Sequence, residues 1–142
     1  MRIRLLMLGK TRGPELRAVL DDYVNRIARS WPAEVTEVRD GEAALKKLLA
    51  ERAATPMLLD AAGKVYDSVA FAKWLGEQRD CGTREIIFVC GDADGFPEVL
   101  REQVRQRVSL SAMTYSHELA RVMLAEQIYR AFAILSGSPY PK

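Results

Sequence analysis

A few short stretches of this chain carry side chains suited to chemistry. Gly91-Asp92-Ala93-Asp94-Gly95 sets two glycines around two carboxylates. Glycine adopts backbone conformations closed to other residues and lets a ligand lie against the main chain, although a tight turn uses the same pattern. The chain has neither a G-x-G-x-x-G fingerprint nor a Walker lysine, so the loop suits a nucleoside held through base and ribose better than a polyphosphate. Ser109 to Tyr115 is short-chained and mildly polar. It could wrap an adenosyl group with amides and carbonyls between apolar walls from Met113 and Tyr115, or serve as a plain connection. His117 with Arg121, and Glu126 with Arg130, stand at i, i+4, the spacing of neighbours on one helix face. They read either as surface ion pairs or as paired charges that survive on an apolar helix because they are useful.

Other patterns fail on inspection. Gly9-Lys10-Thr11 echoes a phosphate-binding loop, but Arg4 stands where that motif needs its first glycine. Asp92-Ala93-Asp94-Gly95 opens like a calcium loop, yet Gln103 falls where the bidentate glutamate belongs. Cys81 and Cys90 lack metal-ligand spacing, and His117 alone builds no zinc site, so no metal is expected. Residues 1–20 carry Arg2, Arg4, Lys10, Arg12 and Arg17 against Glu15 alone. That cluster is either a solvated face or a surface that meets phosphates.

The elements that must position these residues alternate. Ile3 to Leu8 reads as a buried strand, and Gly13-Pro14 opens a helix with an apolar stripe through Leu16, Val19, Leu20, Tyr23, Val24 and Ile27. Glu34–Val38 is a strand and Glu42–Ala54 a helix. Met57–Asp60 is a third strand ending in a carboxylate, followed by a helix from Val69 to Asp80 capped by Asp67-Ser68. Glu85–Cys90 is apolar enough for a central parallel strand. A helix from Pro97 to Arg107, a strand Val108–Ser111 and a long helix Glu118–Leu135 complete the pattern. Strands alternating with helices imply an α/β fold: a parallel sheet with flanking helices, in one domain over residues 1–142. Ligands on such sheets gather at the carboxyl ends of strands. Here those ends are Leu59-Asp60, Gly91–Gly95 and Ser111–His117.

The chain has 142 residues, 49% of them apolar and 28% charged, which is ordinary for a globular protein. Its longest stretch without charge or histidine, Ala131–Pro141, is too short to span a membrane. The N-terminal apolar run Leu5–Leu8 is too brief for a secretory leader, so a cytoplasmic location is expected. The last helix is apolar nearly all round, from Leu119 through Ile128 to Leu135. Burying every side of a terminal helix in so short a chain calls for a second copy, so the expected assembly is a homodimer with this helix in the interface.

At the motifs of the C-terminal half the chain resembles a known family. Strand, Gly91-x-x-x-Gly95, Leu110-Ser111-x-Met113-Thr114, His117-x-x-x-Arg121-Val122 and Glu126-Gln127-x-Tyr129-Arg130-Ala131 follow in the order and spacing of the ribosomal large-subunit methyltransferase H family. These are small SPOUT-class enzymes that methylate N3 of a pseudouridine in 23S rRNA. The resemblance implies a sheet whose C-terminal segment is threaded into a trefoil knot, a homodimer, and S-adenosylmethionine as methyl donor. It implies cofactor contacts from Leu59, Gly91, Leu110, Ser111, Ala112, Met113, Thr114 and Tyr115. It also makes His117, Arg121, Tyr140 and Lys142 candidates for RNA contact or catalysis, with Arg121 first as the cation that favours the anion of the target imide. The chain departs from the family at Asp92, where a second glycine is usual, at Ser116 for a proline, and at Pro141 for a histidine. A diverged, catalytically impaired ribosome-binding module, or the same chemistry on another RNA, are the alternatives.

Overall fold

β1 (Arg2–Leu8) is buried over six of its seven residues, and β4 (Glu85–Cys90) over its whole length. The computed structural model describes residues 1–140. β1 and β4 pair in parallel at the centre of the sheet, with Leu5 opposite Phe88. β2 (Ala33–Val38) lies outside β1, while β3 (Ala54–Val65) and then β5 (Arg107–Ser109) lie outside β4. All pairings are parallel, in the order β2-β1-β4-β3-β5.

Alternate residues of a strand face opposite sides, and the two faces of β1 feed two cores. Ile3, Leu5 and Met7 join Leu20, Leu75, Phe88 and Ile128 under α1 (Pro14–Ala28), α3 (Ser68–Asp80) and α5 (His117–Ser136). Leu6 and Leu8 join Ala44, Ile87 and Leu100 under α2 (Gly41–Ala50) and α4 (Glu98–Gln103). Side-chain caps fix three helix starts: Asp40, Asp67 and Ser116 accept from the amides of Ala43, Ala70 and Leu119. Ser116, where the resemblance leads one to expect proline, therefore supplies the cap of α5.

Several boundaries differ from the sequence reading. The fourth helix stops at Gln103 rather than running to Arg107. Val104 turns extended there and buries its side chain in the smaller core. The second helix ends at Ala50, because Glu51 leaves helical geometry and its carboxylate accepts from Arg4 Nη1 at 2.8 Å. The third strand is the largest difference. Leu59 and Lys64 both pair with Val108, so residues 60–63 bulge out between them. Gly63 makes the bulge fit, since a Cβ there would sit 2.7 Å from the carbonyl carbon of Arg107. The fifth strand ends at Ser109, two residues early. Ser109 Oγ accepts from Ser111 N and donates to Ser111 O, and these bonds bend Leu110 and Ser111 out of the sheet.

Candidate functional site

The bulge after Leu59, the loop after β4 and the bend after β5 line one cleft of about 410 Å³ at the carboxyl edge of the sheet. Leu59, Asp60 and Ala61 come from β3. Gly91, Asp92, Gly95 and Phe96 come from the second turn, and Leu110, Ser111 and Met113 to His117 from the third. Of the expected cofactor contacts, Ala112 alone is outside this lining and faces solvent.

Local sequence explains the shape of each wall. Gly91 is a glycine because a Cβ there would lie 2.7 Å from Gly95 O, so the loop closes tightly on itself. Gly95 sits at φ +81°, a conformation that other residues resist. Asp92 closes the same turn: its Oδ1 accepts from Asp94 N at 2.8 Å, and its carbonyl from Gly95 N at 3.0 Å. The residue that departs from the family pattern thus braces the loop. In the third wall Met113 N donates to Ser111 Oγ at 3.0 Å, and the Met113 side chain is 72% exposed.

Charge in the cleft is confined to a few groups. Asp60 and Arg101 face each other there, Nη1 donating to Oδ2 at 2.6 Å, while Asp60 Oδ1 accepts from Ala62 N. His117 also lines the cleft, with Nε2 at 3.8 Å from Glu118 Oε2. Cys90 lies at the floor, and burial pushes its thiol up to about 12, so it holds its proton and acts as a small apolar residue.

A family described as predicted SPOUT methyltransferase matches residues 1–141. The chain belongs to this SPOUT methyltransferase family. Curated relatives agree over their full length. Proteins named ribosomal RNA large subunit methyltransferase H from Pelobacter propionicus and Dinoroseobacter shibae are 40% and 44% identical. Each alignment covers 99% of this chain, and 99% and 98% of the respective relative. Among solved structures, the SpoU methyltransferase AviRb from Streptomyces viridochromogenes, crystallised with AdoMet, superposes with a TM-score of 0.54 at 14% identity. That superposition covers 90% of this chain and 56% of AviRb, so the chain spans little more than half the length of that structure. At this identity the likeness is one of fold.

In this SPOUT methyltransferase Arg121 does not face the cleft. It is 0% exposed. Nη1 donates to Gly9 O and Thr11 Oγ1, and Nη2 to Leu8 O and Gly91 O, at 2.7–3.3 Å. Burial lowers its pKa from the ordinary arginine value. A guanidinium bonded to three backbone carbonyls and a hydroxyl is a positioning group, tying the end of β1 to the glycine at the cleft floor. The i, i+4 partner His117 reaches the cleft, so the two residues divide between surface and interior.

Tyr140 lies elsewhere. Its hydroxyl donates to Glu126 Oε2 at 2.7 Å and stands 3.3 Å from the Tyr23 hydroxyl, and its ring meets Tyr129 edge-on. Burial, then the bonds to Tyr23 and Glu126, raise its pKa well above the phenol norm. Glu126 is nine residues of helix past His117, about 14 Å along α5. Glu126 also binds Arg130, so this predicted pair does form. Lys142 and Pro141 lie outside the described residues.

Three features were missed in the sequence. Arg101 carries no local signal, because its partner Asp60 is 41 positions away. Glu118 accepts from the amides of Arg12 and Gly13 at 3.0 and 2.9 Å, holding the turn into α1 from more than 100 positions along the chain. Between α1, α3 and α5 lies a second groove of about 540 Å³, walled by Val19, Tyr23, Phe71 and Met123 and sharing Leu110 with the cleft.

Proposed function

We propose that this chain is an S-adenosylmethionine-dependent methyltransferase acting on N3 of a pseudouridine in 23S rRNA of the large ribosomal subunit. The observation that carries the reading is the meeting of three separate strand ends in one cleft, in a chain whose full-length relatives are named ribosomal RNA large subunit methyltransferase H. The residues present fit the cofactor. A loop closed by Gly91 and Gly95 offers bare main chain, and Leu59, Leu110, Met113 and Tyr115 offer apolar walls for an adenosyl group. When bound, S-adenosylmethionine supplies a methyl group on a sulfonium, open to in-line displacement.

The chain's own residues then have defined work. The target is an imide N–H between two carbonyls, and a cation or hydrogen-bond donor near those oxygens favours its anion. His117 is at the cleft surface to donate there. Arg121 acts through Gly91 and the end of β1, holding the cleft floor in place, and most of the rate gain comes from such alignment. Tyr140 and Lys142 belong to a tail whose described part docks on α5 away from His117. In this reading they serve the cleft of a second copy in a homodimer. The C-terminal trefoil knot and the cytoplasmic setting of the ribosome belong to the same proposal.

Titration calorimetry with S-adenosylmethionine, followed by methyl transfer to large subunits from cells lacking the gene, tests it. Saturable heat and one new methyl group on a pseudouridine are expected. No heat removes the enzyme reading, and a methyl group on another nucleotide moves the same chemistry to another target.

A further inference from the structure

The loop between β1 and α1, residues 9–13, is held more firmly than its exposed position requires. Thr11 N donates to Glu37 Oε2, and the amides of Arg12 and Gly13 donate to the two oxygens of Glu118. Arg121 grips the same loop through Gly9 O and Thr11 Oγ1. Four of its five amides, those of Gly9, Thr11, Arg12 and Gly13, are therefore satisfied from within. What the loop presents outward is two cationic side chains. Lys10 and Arg12 are both exposed, and among the described residues neither side-chain cation has a carboxylate oxygen within 4.0 Å. Arg17, Arg26, Arg101 and Arg130 are each paired with an acid. Among the described residues Arg52 and Arg84 are as free as Lys10 and Arg12 but lie at the amino edge of the sheet, so what sets Lys10 and Arg12 apart is their place.

The loop also sits beside the cleft. Arg121 bonds Gly9 O and Gly91 O with one guanidinium, and Glu118, which holds Arg12 N, directly follows His117 on the cleft wall. Two unpaired cations on a rigid strip next to a nucleoside-sized cleft match the backbone on either side of a base that enters it. We propose that residues 9–13 form a phosphate rail for RNA at the rim of the cleft, with Lys10 and Arg12 contacting the strand that carries the target base. This rests on the RNA methyltransferase reading and adds to it the surface that holds the substrate. Fixing the main chain lowers the ordering cost of each contact, which is what a positioning surface needs.

The test uses the full chain with Lys10→Ala and Arg12→Ala together. A matched control, Arg52→Ala with Arg84→Ala, removes two exposed charges at the amino ends of β3 and β4, across the sheet from the cleft. Binding to polyuridylate and to large ribosomal subunits is followed against salt, and S-adenosylmethionine heat is measured in parallel. Each phosphate contact on a single strand contributes about 0.7 to the slope of log affinity against log salt, so losing two lowers it by about 1.4. The rail predicts that fall, an affinity deficit that narrows about sevenfold between roughly 50 and 200 mM salt, unchanged cofactor heat, and a control like wild type. Equal slopes, an equal loss in the control, or no polyuridylate binding by wild type overturns the rail. So does a loss confined to phosphatidylserine vesicles. Absent cofactor heat in the wild type instead removes the methyltransferase reading, and the RNA slopes still decide the rail.

Discussion

A buried guanidinium with no carboxylate against it is costly, and Arg121 is kept in place by the carbonyls it satisfies. Arg121→Met keeps the volume and strips partners from Leu8 O, Gly9 O and Gly91 O. The expected loss is about 2–4 kcal/mol in urea unfolding, with weaker cofactor binding in the fraction that folds. Arg121→Lys retains the charge without the planar fork and should recover only part of it. Gly91→Val tests the cleft directly. Its Cβ would meet Gly95 O, so the loop must shift, and cofactor affinity should fall at least tenfold by calorimetry while the fold remains. Unaltered affinity would show that this loop does not touch the cofactor. These roles were only partly legible in the residues. The spacing of His117 and Arg121 put both on one helix face, but spacing does not say which is buried. Glu118 and the amides it accepts from are more than 100 positions apart, and a backbone amide leaves no mark in a sequence.

Elements followed the periodicity of the chain wherever burial alone decides. β1 and β4 are apolar on both faces and sit at the sheet centre as their composition requires. β3 escaped because its bulge depends on β5, an edge partner met only after folding. Gly63→Ala tests that contact. Crowding against the Arg107 carbonyl carbon should cost about 1–3 kcal/mol, read as a lower urea midpoint with unchanged slope. The join between α5 and α1 has a pH signature. The amides of Arg12 and Gly13 hold the Glu118 carboxyl below its usual range, so the folded chain takes up that proton less readily than the unfolded one. Its stabilisation is complete above the unfolded value of about 4.3 and is lost as pH falls through the lower folded value. Melting temperature should drop less steeply over this range in Glu118→Gln than in wild type. Asp40, held down by the Ala43 amide, and Glu51, held down by Arg4, leave a residual slope. Parallel curves would mean the contact with the loop contributes nothing.

At the scale of the molecule one chain leaves two needs unmet. Apolar surface remains at Leu119, Ile134 and Val19, each about 40% exposed, and Val19 with Met123 also walls a groove. Tyr140, meanwhile, is tied to Glu126 rather than to the cleft. In the proposed homodimer, a second copy laid along α1 and α5 answers the first need, and a tail that crosses to the partner answers the second. Val19→Asp with Met123→Asp should then reduce the mass seen by light scattering from twice 15.9 kDa to that value. A wild type already at the lower mass refutes the dimer. Mixing separates the crossing tail from a local one. Gly91→Val damages one cleft and leaves its tail intact, whereas Tyr140→Phe does the reverse. If tails act across the interface, each inactive variant supplies what the other lacks, and subunit exchange restores one working cleft per mixed dimer, up to about a quarter of wild-type methyl transfer. A mixed dimer with a local tail instead pairs one damaged cleft with one damaged tail in separate units, and activity stays at the level of the single variants.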